Sequence, residues 1–137
     1  MTQAAVDQIL GEVLPDELLA RFILQRNRIR HDLSVKADAF VPHPYRELSV
    51  TRHVGLPNEA IWRIGRAVAE SANKTLHGRA DVKARVFADY KLAVDAAPTP
   101  ANANHANVTG WPLNKAEQKS TAQKIAATVG TALLPPA

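Results

Sequence analysis

The sequence predicts a single α+β domain, and three observations carry that expectation. Apolar residues recur at helical spacing in residues 6–23, alternate in residues 33–41 and again in 48–54, and return to helical spacing in residues 58–73 and again before residue 130. Pro, Gly and Asn residues with turn chemistry separate these stretches. At 137 residues and without a cysteine, the chain can bury roughly two-thirds of the surface of its unfolded form and needs no covalent staple. The expected plan is an N-terminal helical pair over residues 1–30, an α+β core over 31–130 and a tail over 131–137. Within the core the plan has a β-hairpin, middle helices, a small, mostly antiparallel sheet and a C-terminal helix.

In the first expected helix Val6, Ile9, Leu10 and Val13 share a face. Pro15 opens a second, with Leu18, Leu19, Phe22 and Ile23 as its apolar side. It runs into Arg26-Asn27-Arg28-Ile29-Arg30-His31, the densest basic cluster of the chain. Cations at a helix C-terminus complement the macrodipole, so the cluster reads either as capping and solvation or as an anion site.

The period then changes to two. Leu33, Val35, Ala37, Ala39 and Val41 alternate with polar neighbours and Phe40, and beyond Pro42 the residues Leu48, Val50 and Val54 alternate with Ser49, Thr51 and His53. Pairing Val41 with Leu48 and Ala39 with Val50 puts both apolar sets on one side of a hairpin. In that register Lys36 faces His53 and Asp38 faces Thr51. Arg52 falls on the apolar face, where it either snorkels from the sheet edge or is held by an acidic partner or ligand.

Asn58 is the expected N-cap of a helix reaching about Asn73, with Ile61, Ile64, Gly65, Val68 and Ala72 as its buried stripe. Gly65 costs about 1 kcal/mol there relative to Ala, which predicts close packing against the sheet. Trp62 reads as an aromatic at the core edge. Residues 79–88 fit a strand or a short helix, with helix favoured. Leu92, Val94 and Ala96 form a strand, Pro98-Thr99-Pro100 a linker, and Ala106–Thr109 a last short strand. Asn114 caps the final helix with Glu117 completing a capping box; Ala122, Ile125, Ala126 and Val129 face inward and Gly130 ends it.

Composition bounds the chemistry. Zero cysteines exclude disulfides, thiolate catalysis and sulfur-ligated zinc, and suit a reducing compartment. The first residues lack the basic head and apolar run of a signal peptide, and no apolar stretch approaches the ~18 residues of a membrane span. A cytoplasmic protein without a membrane partner is the expectation. Seventeen Lys and Arg against thirteen Asp and Glu leave +4, which permits an anionic partner without demanding one. No P-loop, dinucleotide fingerprint or paired-carboxylate motif occurs, so no cofactor is expected. His31, His43, His53, His77 and His105 lack the i, i+3 or i, i+4 spacing and the HExxH pattern that place two ligands on one helix face, so no metal site is expected.

The strings DAFVPHPYRELSVTRH from Asp38 to His53, LHGRADV from Leu76 to Val82 and NHANVTGWPLNKAEQK from Asn104 to Lys119 resemble a group of small bacterial hypothetical proteins. The resemblance spans about residues 16–129 and implies a bacterial protein. It implies no activity, cofactor or catalytic residue. At His77 the sequence departs from the group, which carries Tyr there, and this argues against a catalytic His77.

The run from Asn104 to Asn114 crowds His105, Asn107, Thr109 and Trp111 into a short strand and its exit. His105 with Ser49 or Thr51 and an acid such as Asp38 could make a nucleophile, base and orienting carboxylate, although no nucleophile elbow or Gly-rich oxyanion loop accompanies them. A polar sheet face holding Lys36, Ser49, Thr51 and His53, joined by His105, Asn107 and Trp111 and flanked by Arg52, would instead bind a partner by hydrogen bonds and stacking. With only seven aromatic residues, nucleic acid is weakly supported as that partner. A protein partner, or a second copy docked through the helical pair, is equally compatible. The expected function is a non-catalytic binding or accessory subunit of the bacterial cytoplasm. The alternative is a small hydrolase or nuclease using His105 with Ser49 or Thr51, which would need His105 within about 3–4 Å of a hydroxyl or carboxylate in a concave pocket.

Overall fold

A computed structural model describes residues 11–42 and 46–136. Its strands are β1 (Leu18–Ile23), β2 (Leu48–Arg52), β3 (Gly78–Lys83), β4 (Ala93–Ala96) and β5 (His105–Thr109). They form one five-stranded sheet in the order β3-β1-β2-β5-β4, every neighbouring pair antiparallel. The helices among the described residues are α1 (Asn58–Ser71), α2 (Ala84–Asp89) and α3 (Lys115–Thr128), with 3-10 turns at Arg26–Arg28 and Ala37–Phe40. The α+β class therefore holds.

The expected N-terminal helical pair does not. Most of its first helix lies outside the described residues, and the stretch read as the second is β1. Leu19 and Ile23 enter the main core while Ala20 and Phe22 pack on the other face with Ile61 of α1. A strand buried on both faces loses its alternation, and Leu-Leu-Ala-Arg-Phe-Ile then imitates helical spacing.

The expected hairpin is also replaced. Residues 37–40 form a 3-10 turn that buries Ala37, Ala39 and Phe40 together. An extended chain would have sent Phe40 to the face opposite Ala37 and Ala39. Arg21 anchors this turn, its Nε donating to Ala39 O at 2.8 Å and its Nη1 to Ser49 O at 3.1 Å. Burial, with Arg28 nearby, lowers the Arg21 pKa to about 10, which leaves it charged at neutral pH. β2 pairs with β1 and β5 instead of with residues 33–41.

Residues 79–88 divide between the two forms considered: β3 ends at Lys83 and α2 begins at Ala84. α1 spans the expected residues except at its start, but its buried side is Ile61, Trp62, Gly65 and Ala69, while Val68 and Ala72 of the expected stripe are exposed because the helix is rotated toward Trp62. Pro57 is its cap residue, and Asn58 Oδ1 accepts from Arg79 Nη2 at 2.6 Å rather than from the helix backbone. Gly65 is buried in α1 because a Cβ there would lie 2.6 Å from Phe22 Cε1. Asn114 caps α3 as expected, its Oδ1 accepting from Glu117 N at 3.1 Å. α2, α3 and the Ala37–Phe40 turn cover one sheet face, and α1 packs over part of the other.

Candidate binding surfaces

Registration of β2 on β5 pairs Ser49 with Asn107 and Thr51 with His105. Because Leu48, Val50, Ala106 and Val108 all point into the main core, these four polar residues share the opposite face. Ser49 is exposed and His105 and Asn107 are half-buried, but Thr51, expected on the binding face, is buried against the 97–104 loop. Thr109 extends the row by donating to Asp95 Oδ2 of β4 at 3.0 Å. Where the row meets α1, Ser49, Thr51, Asn102 and His105 face Phe22, Leu24 and Val68 across a crevice of about 70 Å³.

Within this crevice His105 and Thr51 are engaged with framework atoms. His105 Nδ1 lies 2.8 Å from Ala97 O. A carbonyl only accepts, so the neutral ring carries its proton on Nδ1 and leaves Nε2 as an acceptor. The Thr51 hydroxyl accepts from Asn102 Nδ2 at 3.0 Å. Asp38, the acid in the expected catalytic set, lies in the Ala37–Phe40 turn across the sheet and is paired with Lys119 of α3. That Lys119 hydrogen bond holds the Asp38 carboxyl below its ordinary value.

Four other expected site residues lie elsewhere. Trp111 is 2 % exposed in the main core, with its Nε1 donating to Val108 O at 3.0 Å. Arg52 is 1 % exposed on the core side of the sheet. Its Nε and Nη2 meet the Glu17 carboxylate at 2.7 and 2.9 Å, and its Nη1 donates to Gly11 O at 2.7 Å. Of the two readings of Arg52, the acidic partner is the one found, and the contacts tie residues 11–17 to the sheet. Lys36 precedes the 3-10 turn and does not face His53. His53 shares the α1 side of the sheet but is drawn to β3, with Nε2 at 3.1 Å from Asp81 Oδ1.

The His53 contact belongs to a cluster that the sequence reading missed. Arg79 and Asp81, two apart on β3, lie on one face, where Arg79 Nε and Nη2 reach the Asp81 carboxylate at 3.1 and 3.3 Å. The Arg79 guanidinium stacks over Trp62 at 4.6 Å, and its buried Nη1 has no hydrogen-bond partner among the described residues. Burial opposes the charge on Asp81, but the hydrogen bond and charge of His53, followed by Arg79, outweigh it and keep the carboxyl below its ordinary value. Reading Gly78–Lys83 as a strand would have placed Arg79 and Asp81 side by side.

A second surface lies at the other end of β1. Arg26, Asn27, Ile29, Arg30, His31, Asp32, Leu33, Lys36, His77 and Leu134 line an open concavity of about 1080 Å³. Arg30 N donates to Ser34 O and Leu33 N to Arg30 O, both at 2.9 Å, which closes a three-residue hairpin loop with Leu33 at φ 70°. Lys36 N to Arg28 O at 2.9 Å and Ala132 N to Leu33 O at 2.7 Å join this loop to its neighbours. Residues 131–133 then pass to the edge of β3, where Arg79 and Leu133 exchange backbone hydrogen bonds. Gly78 permits the approach, since a Cβ there would lie 2.9 Å from Leu133 O. The basic cluster thus enters the concavity from a 3-10 turn rather than from a helix C-terminus.

Among the described residues no three His, Asp or Glu side chains group closely enough to hold a metal ion. No helix among them is long and apolar enough to cross a membrane. In comparisons with known proteins, no family model, no curated protein and no solved structure matches this chain.

Proposed function

We propose that this chain is a non-catalytic binding module, an accessory subunit that recognises a protein partner. The observation that carries the reading is the engagement of His105 and Thr51. The ring is oriented by the Ala97 carbonyl, the Thr51 hydroxyl accepts from Asn102, and Asp38 is paired with Lys119 across the sheet, so the expected set with Asp38 as its orienting acid is not assembled. What the molecule offers outward is a polar cross-strand row on β2 and β5 and a basic concavity, two surfaces suited to contact. The crevice of about 70 Å³ beside His105 falls far below the roughly 300 Å³ at which pockets for small substrates begin.

Capture of partners from the source cells by a tagged bait tests this, with Asn107→Arg altering the sheet face and Arg26→Glu/Lys36→Glu altering the concavity. The wild-type bait should recover a protein that at least one variant loses. Identical recovery by all three baits refutes the reading. Turnover of a p-nitrophenyl ester or of single-stranded RNA that disappears in His105→Ala also refutes it and favours the hydrolase alternative, for which the acceptor Nε2 of His105 and Ser49, both lining the crevice, are the candidates.

A further inference from the structure

We infer that the concavity docks an acidic, aliphatic segment of a partner protein, an inference that rests on the binding-module reading and adds the site and the chemistry recognised. Among the described residues its lining carries Arg26, Arg30 and Lys36 against one carboxylate, Asp32. That carboxylate accepts from Ser34 N at 2.9 Å and Ser34 Oγ at 2.6 Å, so it is held by its own turn. Arg30 is steadied by Ser34 Oγ and Val35 O, both at 3.3 Å, while Arg26 is exposed. The rim therefore presents net positive charge to an incoming anion.

The floor decides which anion. Ile29, Leu33 and Leu134 are aliphatic, and Leu134 is 53 % exposed. A polynucleotide is bound by cations tracking its phosphates and by flat rings on which bases stack. Among the described residues no Phe, Tyr or Trp lines this concavity. Asp32 would also face an unbroken row of phosphates, whereas a polypeptide can place its carboxylates against the cations and its Leu or Ile side chains on the floor. The concavity is open and is shaped by backbone hydrogen bonds from separate parts of the chain, so an extended segment can lie across a surface already formed. Leu33 supports the same reading. It occupies a left-handed position where Gly is favoured, and it is one of the residues that line the concavity.

The test is fluorescence anisotropy with a labelled peptide of about twelve residues built from Glu and Leu. The comparators are the same peptide with Gln for Glu, the same peptide with Ser for Leu, a thymidine oligonucleotide and phosphatidylglycerol vesicles. The Glu/Leu peptide should bind, and each altered peptide should bind about tenfold more weakly. Arg26→Glu/Lys36→Glu should weaken binding at least about tenfold, and raising salt from about 0.05 to 0.5 M should weaken it in the wild type. Leu134→Ser should weaken it several-fold. These variants should keep the wild-type urea midpoint, which separates lost docking from lost folding. Tighter binding of the oligonucleotide or the vesicles overturns the inference, as does indifference to charge reversal. If partner capture survives either result, only this surface fails and the binding-module reading stands.

Discussion

Replacing Gly65 by Ala sets two effects of opposite sign against each other inside α1. Helix propensity favours Ala over Gly by about 1 kcal/mol at an interior position. The new methyl, however, would stand 2.6 Å from Phe22 Cε1, 2.8 Å from Phe22 Cδ1 and 3.2 Å from Leu76 Cδ2. Carbon atoms attract best at about 3.5–4.0 Å, so the Phe22 ring must retreat by about 1 Å. That ring is only 9 % exposed and packs with Ala20 and Ile61, so retreat forces off-rotamer or backbone adjustment costing about 1–3 kcal/mol. The net expectation is a loss of about 1 kcal/mol, a fall in Tm of roughly 3–5 °C for a chain of this length. Urea unfolding followed by far-UV circular dichroism reads the change. In a Phe22→Leu background the ring is gone, and Gly65→Ala should become neutral or stabilising, with a coupling of about 1–2 kcal/mol in the double-mutant cycle. A stabilisation by the full propensity gain in the single variant, with additive energies in the cycle, would falsify the close approach of α1 to β1.

The remaining predictions concern β3. Asp81 has its pKa lowered in the fold, so the unfolded state binds more protons in acid; the associated stability is present above the unfolded value near pH 4 and is lost as pH falls through the folded value. Asp81→Asn should therefore lower stability at pH 7 and flatten the decline in acid; urea midpoints measured from neutral pH downward check this, and parallel acid limbs would contradict it. Gly78→Ala brings a Cβ to 2.9 Å from Leu133 O and 3.1 Å from Ile29 Cδ1, which should cost about 1–3 kcal/mol and speed amide exchange at Leu133. Unchanged exchange at Leu133 would mean that residues 131–133 do not depend on the bare edge of β3.

Several features were legible because one residue does one local job. Asn114 caps α3 through the backbone amide three residues on, and the alternation of β5 sorts Ala106 and Val108 from His105 and Asn107. In the sequence reading Ser49, Thr51, His105 and Asn107 share one polar face, whereas the direct pairing of β2 with β5 in place of residues 33–41 is set by the tertiary fold. Lys36, Arg52 and Trp111 fell out of that surface for different reasons. Lys36 went because residues 37–40 coil to bury Phe40, Arg52 because Glu17 meets it from 35 positions away, and Trp111 because its indole finds a carbonyl within the core. The concavity was visible only as a run of basic residues. Two of its lining residues, Leu134 and His77, come from parts of the chain remote in sequence.

By itself the sequence determined the α+β class, the spans of α1 and α3, the tight packing required at Gly65 and the inward side of β5. These depend on periodicity and capping, which act over a few residues. Tertiary structure alone decided that Leu18–Ile23 is a strand between β2 and β3, that Arg79 and Asp81 meet His53, and that His105 turns to Ala97. Those outcomes depend on pairings between distant segments, where the core shared by all of them overrides what each stretch would prefer alone.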